Sequence, residues 1–253
     1  MILDNFSLKG KVAVVTGANT GLGQGMCVAL AQAGAKVAGV ARRSCSETAG
    51  LIAKDGGEFF EVLADLSDTK NVPVILNAVL EKYGCVDILV NNAGIILRED
   101  AVNVTEQDWN RVINLNLNMV FLLSQAFARQ YMKQGHGGKI VNVASMTSYQ
   151  GGIRIPAYTS SKSAVLGLTR ELANEWAKFG INVNAIAPGY MATNNTAALR
   201  DDEKRSGEIL ERIPAGRWGT PEDMAGAVVF LCSEAASYVH GFTVAVDGGW
   251  LAR

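Results

Sequence analysis

Along this chain, short runs of apolar, largely β-branched positions alternate with longer stretches whose apolar residues recur at helical spacing. The short runs fall at 11–16, 36–41, 59–64, 86–90, 139–144, 181–187 and 242–246. They are apolar through their centres rather than alternating, the pattern of strands buried on both faces of a parallel sheet. Helical spacing covers 21–33, 45–55, 68–83, 105–134, 157–179 and 221–233, with a less regular stretch at 196–212. Thr105 followed by Gln107 and Asp108, and Pro221 followed by Glu222 and Asp223, read as helix starts. Strands alternating with helices imply right-handed crossovers and therefore an α/β fold, a doubly wound parallel sheet of seven strands with helices on both faces. No linker, repeat or low-complexity run interrupts the pattern, so 1–253 reads as a single domain. In such sheets ligands bind beyond the carboxyl ends of the strands, which is where the chemistry is to be sought.

Composition narrows the classes. With 49% hydrophobic and 19% charged residues in 253, the chain can bury a full core without metal or disulfide. Basic and acidic residues nearly balance, 23 against 24, and no basic stripe exists, so no nucleic-acid partner is expected. The longest uncharged stretches, 12–35, 112–128 and 180–199, are broken by glycine or asparagine, and none is a membrane span. The opening MILDNFSLKGK is too short and polar for a signal peptide, which makes a cytoplasmic protein the expectation. Cys27, Cys45, Cys85 and Cys232 lie far apart and read as free thiols. The two histidines, His136 and His240, each lie within a residue of a glycine; a zinc site or a serine–histidine triad is undersupplied, and no metal is expected.

The first strand runs directly into Thr16-Gly17-Ala18-Asn19-Thr20-Gly21-Leu22-Gly23, and a helix pattern follows. Glycine lets the backbone approach a pyrophosphate closely, and the helix start offers it unpaired N–H groups and a partial positive charge. No Lys-Ser or Lys-Thr follows, so this is not a nucleoside-triphosphate loop. The spacing also differs from the G-x-G-x-x-G dinucleotide fingerprint. Asp65 and Leu66 follow the third strand, where the carboxylate could accept from an adenine amino group; Asn91-Asn92-Ala93-Gly94 follows the fourth, where amides and small residues could line a cofactor. Taken singly, each could equally be a packing turn or a surface loop.

Tyr158-Thr159-Ser160-Ser161-Lys162 opens a long helix behind Pro156. A spacing of four stacks Tyr158 and Lys162 on one face. A free phenol, with a pKa of about 10, is a weak base at neutrality, and moving it to about 7 takes roughly 4 kcal/mol. A neighbouring ammonium works in that direction. Ser145, after the fifth strand, could hold a substrate oxygen beside the phenol.

Together these residues resemble the short-chain dehydrogenase/reductase family over essentially the whole chain: T-G-x-x-x-G-x-G at 16–23, Asp65, N-N-A-G at 91–94, Asn116, Ser145, Y-x-x-x-K at 158–162 and Pro188-Gly189. The resemblance implies a Rossmann-type sheet of order 3-2-1-4-5-6-7 and hydride transfer between NAD or NADP and a CH–OH group. It implies that Tyr158 exchanges the alcohol proton, Ser145 orients the substrate, and Lys162 tunes Tyr158 and binds the nicotinamide ribose. Asn116 would hold a proton-relay water, and Thr193 would meet the nicotinamide carboxamide. A homotetramer is also implied. Within the family, 187–196, 212–219 and 247–253 resemble dehydrogenases of keto and hydroxy sugar acids from uronate and pectin breakdown. Arg98 and Arg154 flank the expected site and suit a carboxylate, while Gln150, Asn194 and Asn195 could meet hydroxyls. The charge-rich 194–212 stretch, with Glu208 and Arg212 one turn apart, reads as part of a substrate lid over 190–215. A sister reductase acting on a 3-oxoacyl thioester and a non-catalytic dinucleotide-binding protein are the competing readings. On the cofactor, the sugar-acid resemblance points to NAD. Against it, Ala41 stands where an NAD-preferring strand end carries an acid, and Arg42 or Arg43 could pair with the 2′-phosphate of NADP.

Overall fold

The structure, a computed structural model, describes residues 1–253. Seven parallel strands form one sheet in the order β3-β2-β1-β4-β5-β6-β7. They are β1 (Val12–Thr16), β2 (Lys36–Ala41), β3 (Phe59–Leu63), β4 (Ile88–Asn91), β5 (Gly138–Val143), β6 (Ile181–Pro188) and β7 (Thr243–Val246). The order reverses beside β1: the chain moves outward through β2 and β3, then returns to place β4 on the other side of β1. That switch opens a crevice at the carboxyl ends of β1 and β4. β1 is buried at every residue, which accounts for its apolar run without alternation; β6 is buried throughout as well, its Asn182 and Asn184 donating to main-chain carbonyls.

One face of the sheet packs on α1 (Gly21–Gln32) and α9 (Ala225–Cys232) through Met26, Leu30, Val228 and Leu231. The other packs on α3 (Asn71–Tyr83), α5 (Met119–Gln134) and α6 (Pro156–Trp176) through Ile75, Leu123, Phe127, Leu172 and Trp176. α2 (Ser46–Lys54) covers the outer edge and is tied to the first glycine turn, where Thr48 donates to the Ala18 carbonyl at 2.8 Å.

Two stretches of continuous helical spacing are broken. The 105–134 stretch divides into α4 (Glu106–Ile113) and α5, joined by a π-helical turn at Asn114–Asn118. The wider turn carries Asn116, fully buried, to the loop after β4. There its Oδ1 accepts from Ile95 N–H at 2.9 Å and its Nδ2 donates to the Ile95 carbonyl at 2.9 Å. Uninterrupted apolar spacing hides such a bulge, because its cause lies in a loop 21 residues away. The 196–212 stretch divides into α7 (Ala197–Arg200) and α8 (Glu203–Arg212), because Asp202 caps a new helix by accepting from Arg205 N–H at 3.0 Å. α8 and the tail rest on a small apolar cluster of Met146, Ile209, Ile213 and Trp250. No helix is long and apolar enough to cross a membrane.

Candidate active site

The turn between β1 and α1 is shaped by close packing. A Cβ on Gly23 would come within 2.1 Å of the Gly17 carbonyl oxygen and 2.5 Å of Asn92 Nδ2. Gly17 has φ +69°, which favours glycine on its own account. Asn92 holds this turn from the neighbouring strand end, donating to the Thr16 carbonyl at 2.8 Å. Thr16 answers by accepting Asn92 N–H and Ala93 N–H on its hydroxyl, both at 3.0 Å. Two of the sequence motifs are therefore one structural unit.

Thr20, the residue before α1, makes no side-chain capping bond, and the first turn holds no acid. The first N–H groups of a twelve-residue helix are thus left for an anion, and Thr20, Gly21 and Leu22 line a cleft of about 630 Å³. Gly94 keeps that cleft open further in, since a Cβ there would stand 3.2 Å from Asn116 Oδ1 and 3.8 Å from Lys162 Nζ. An uncapped helix start and a glycine-walled trough fit a dinucleotide. Asp65 and Arg42 lie at the outer end. The Ser67 main-chain N–H, bonded at 2.9 Å, is the main cause that holds the Asp65 carboxyl below its usual value; Arg42 contributes last. Arg42 is exposed and has no carboxylate within ion-pair distance, whereas Glu61 on β3 accepts from Ser44 and from Cys45 N–H. Asn19, Leu66, Ala93, Pro188, Gly189 and Thr193 all border the strand ends, and of these Pro188, Gly189 and Thr193 line the cleft.

Deeper in the cleft, Ser145, Tyr158 and Lys162 come together from the end of β5 and the first turns of α6. Lys162 is buried, donates to the Val143 carbonyl at 2.5 Å, and lies 5.8 Å from the centre of the Tyr158 ring. Burial pulls its pKa down to about 8, so at neutral pH it remains mainly an ammonium. Tyr158 is pushed above the ordinary phenol value by burial, with the Ser145 hydroxyl and then Arg98 pulling it back. The expectation that Lys162 supplies much of the shift of the phenol is modified here: the groups that oppose burial at Tyr158 are Ser145 and then Arg98, while one of the three Lys162 donors is bound to the Val143 carbonyl.

The structure corrects four further details. Asn91 turns its amide into the core, donating to Ser124 and Asn142 at 3.0 and 2.9 Å, so only its main chain reaches the strand end. The Asn116 carboxamide is consumed by Ile95 and by a 3.2 Å bond to Ser161, which makes its side chain a fastener of the cleft wall. Arg154 lines the cleft but is already neutralised, with Asp100 at 2.9 Å and Glu99 at 3.7 Å. Glu208 pairs with Arg205 at 3.0 Å rather than with Arg212, because Arg212 lies 4.0 Å over the Trp250 ring and donates to Gln150 at 3.3 Å. Arg98, by contrast, lines the cleft without an acidic partner; its one bond goes to the Asn195 carbonyl at 3.0 Å. Asn194 and Asn195 line the same mouth. Arg205 and Thr147 also line the cleft, and sequence reasoning passed over both. Arg205 lay inside the stretch read as a lid without being singled out from its other charges, and Thr147 had only its closeness to Ser145 to mark it.

A dinucleotide trough ending on a half-buried tyrosine beside a buried lysine and serine defines an NAD(P)-dependent oxidoreductase acting on a CH–OH group. A family model described as Enoyl-(Acyl carrier protein) reductase matches residues 17–251. The 2-dehydro-3-deoxy-D-gluconate 5-dehydrogenase of Dickeya dadantii (strain 3937) is 60% identical over 253 residues, covering all of both chains. A solved structure from Agrobacterium tumefaciens with bound NADP has a TM-score of 0.94 at 56% identity, covering 99% of this chain and 100% of that one. A gluconate 5-dehydrogenase from Burkholderia cenocepacia J2315, in complex with NADP and tartrate, has a TM-score of 0.94 at 36% identity over 100% of both chains. The chain belongs to the short-chain dehydrogenase/reductase family.

Proposed function

We propose that the protein interconverts a 2-keto-3-deoxy sugar acid and its 2,5-diketo form, the reaction named for its 60% identical relative. The observation that carries this reading is Arg98, the arginine of the cleft that no carboxylate neutralises, placed where it also acts on the Tyr158 phenol. An unpaired guanidinium close enough to act on the phenol suits a substrate whose carboxylate lies a few bonds from the reacting carbonyl. The tartrate complex of a relative is a hydroxy-acid precedent at the same fold. NADP or NAD supplies or accepts the hydride when bound. In reduction, Tyr158 gives its phenolic proton to the substrate oxygen; in oxidation it takes that proton back. Ser145 donates to the same oxygen and holds it beside the phenol. Lys162 keeps a positive charge under the site and fixes the end of β5 through the Val143 carbonyl. Asn116 holds the wall around Ile95, and the relay of protons to solvent passes its turn. Asn194, Asn195 and Gln150 meet substrate hydroxyls, and 190–215 serves as the lid. A panel of keto sugar acids and 3-oxoacyl thioesters, assayed with NADH and NADPH, tests the reading. Turnover of the thioesters with none of the keto acids would replace it by the acyl reductase reading.

For the cofactor, the trough gives NADP a partner and no opposing acid. Arg42→Ala is expected to weaken NADP(H) by roughly 5–30-fold, an exposed and salt-screened phosphate pair, and to leave NAD(H) within a factor of two or so. Fluorescence titration of each cofactor checks it; equal losses for both would remove Arg42 from 2′-phosphate recognition. The remaining expectations are a homotetramer, a cytoplasmic location and a place in pectin-derived uronate breakdown. For the first, Phe242 and Tyr238 are exposed beside the β7 edge, 62% and 97%, and α9 carries apolar residues all round. Light scattering at micromolar concentration is expected to give about four times the chain mass; a monomer would refute it.

A further inference from the structure

Ser145 is the residue whose hydroxyl direction matters most to the reaction just proposed, and nothing in its own backbone sets that direction. Its Oγ accepts from Thr147 N–H at 3.1 Å and is also 3.0 Å from Thr147 Oγ1. Thr147 is buried, 6% exposed, and its hydroxyl has no other hydrogen-bond partner. A buried hydroxyl proton seeks an acceptor, and Ser145 Oγ is the one within reach. Thr147 therefore fills both acceptor directions of Ser145, one from its main chain and one from its side chain. The single proton left on Ser145 then points away from Thr147, into the cleft that Tyr158 shares. The turn itself is pinned independently: Ser148 Oγ accepts Ser145 N–H at 3.2 Å and donates to the Lys162 carbonyl at 2.6 Å.

We infer that Thr147 is a positioning residue that fixes Ser145 as a hydrogen-bond donor into the cleft, toward the Tyr158 phenolate before substrate binds and toward the reacting oxygen once it is bound. The inference rests on the proposed Tyr158–Ser145 chemistry but not on which sugar acid is the substrate. Without the Thr147 hydroxyl, Ser145 is free to rotate toward the emptied space. It then donates to the phenolate for only part of the time, and the phenol's pKa rises. Substrate affinity, set elsewhere by charge, changes little.

Thr147→Val keeps the shape and removes the hydroxyl; Thr147→Ser keeps the hydroxyl and removes a methyl. In the full-length protein, with whichever carbonyl substrate the wild type turns over, Thr147→Val is expected to lower kcat about tenfold at neutral pH. KM and cofactor Kd should stay within about twofold, the value expected of a residue that acts through another. The acid limb of the kcat/KM profile for alcohol oxidation should move upward by at least half a pH unit. Thr147→Ser should restore both kcat and the profile. Three results overturn the proposal: Thr147→Val with wild-type kcat and profile, Thr147→Ser as impaired as Thr147→Val, or a fall in kcat with the pH profile unmoved. If Ser145→Ala leaves turnover unchanged, the chemistry on which the inference rests fails first, and the two failures are told apart by that variant.

Discussion

Tyr158→Phe is expected to lower kcat by ~10²–10⁴ while leaving the fold and cofactor binding intact, the usual range for loss of a group that transfers a proton in the transition state. That factor corresponds to ~2.7–5.4 kcal/mol of barrier. The ring is carried by the first turn of α6 and the phenol faces the cleft, with the Ser145 hydroxyl as its hydrogen-bonding neighbour, so removing one oxygen costs little packing. The pH dependence follows from the shifts. Burial raises the Tyr158 pKa, so in the cofactor-free protein the phenolate forms only above its ordinary range. Burial lowers Lys162 to about 8, so its ammonium is lost as pH rises through that value. Oxidation, which needs the phenolate, gains with rising pH. Reduction, which needs the neutral phenol, has it throughout the neutral range, and below about 8 Lys162 also keeps its charge. For Lys162 the stability sign is the reverse of an ion pair: a depressed lysine costs folding energy below its folded pKa, and the cost fades between about 8 and the unfolded value. Stopped-flow and steady-state rates of the variant in both directions decide the matter; near wild-type turnover would remove Tyr158 as the acid and base.

The sheet was legible in the sequence because its strands are buried on both faces, and unbroken apolar runs bounded by glycine or polar residues have few other readings. The glycine turn, the strand-end asparagines and the Tyr–Lys spacing were legible because each repeats a local geometry: a φ above zero at Gly17, a helix start at Gly21, a four-residue step on α6. What escaped was set by contacts between distant segments. Asn92 lines the cleft, but only the structure shows that its amide clamps Thr16, seventy-six positions away. Arg98 and Arg154 are indistinguishable in the sequence. Only the loop that brings Glu99 and Asp100 against Arg154 separates them. The helix at 105–134 conceals its π-helical turn because apolar spacing tolerates one extra residue, whereas the Ile95 main chain that draws Asn116 in leaves no trace in the pattern.

That separation of the two arginines yields the second large effect. Arg98→Ala is expected to raise KM for a carboxylated substrate by roughly 10–150-fold, the loss of a charged hydrogen bond worth ~1.5–3 kcal/mol. The corresponding amide or alcohol analogue should lose far less. Arg98 also donates to the Asn195 carbonyl, so part of any loss comes from loosening the 194–196 turn. That part falls on both substrates alike, and the ratio of the two KM changes removes it. Arg154→Gly should leave the ratio near one, because Glu99 and Asp100 already neutralise that guanidinium. Glycine is the suitable replacement there: Arg154 has φ +62°, a conformation that alanine adopts only under strain and glycine adopts freely. Measuring KM for the acid and its neutral analogue in wild type, Arg98→Ala and Arg154→Gly gives three ratios. A selective loss confined to Arg154→Gly would mean that the acidic pair opens when substrate arrives and that Arg154 reads the carboxylate. Equal losses on acid and analogue in Arg98→Ala would mean that Arg98 serves the lid alone.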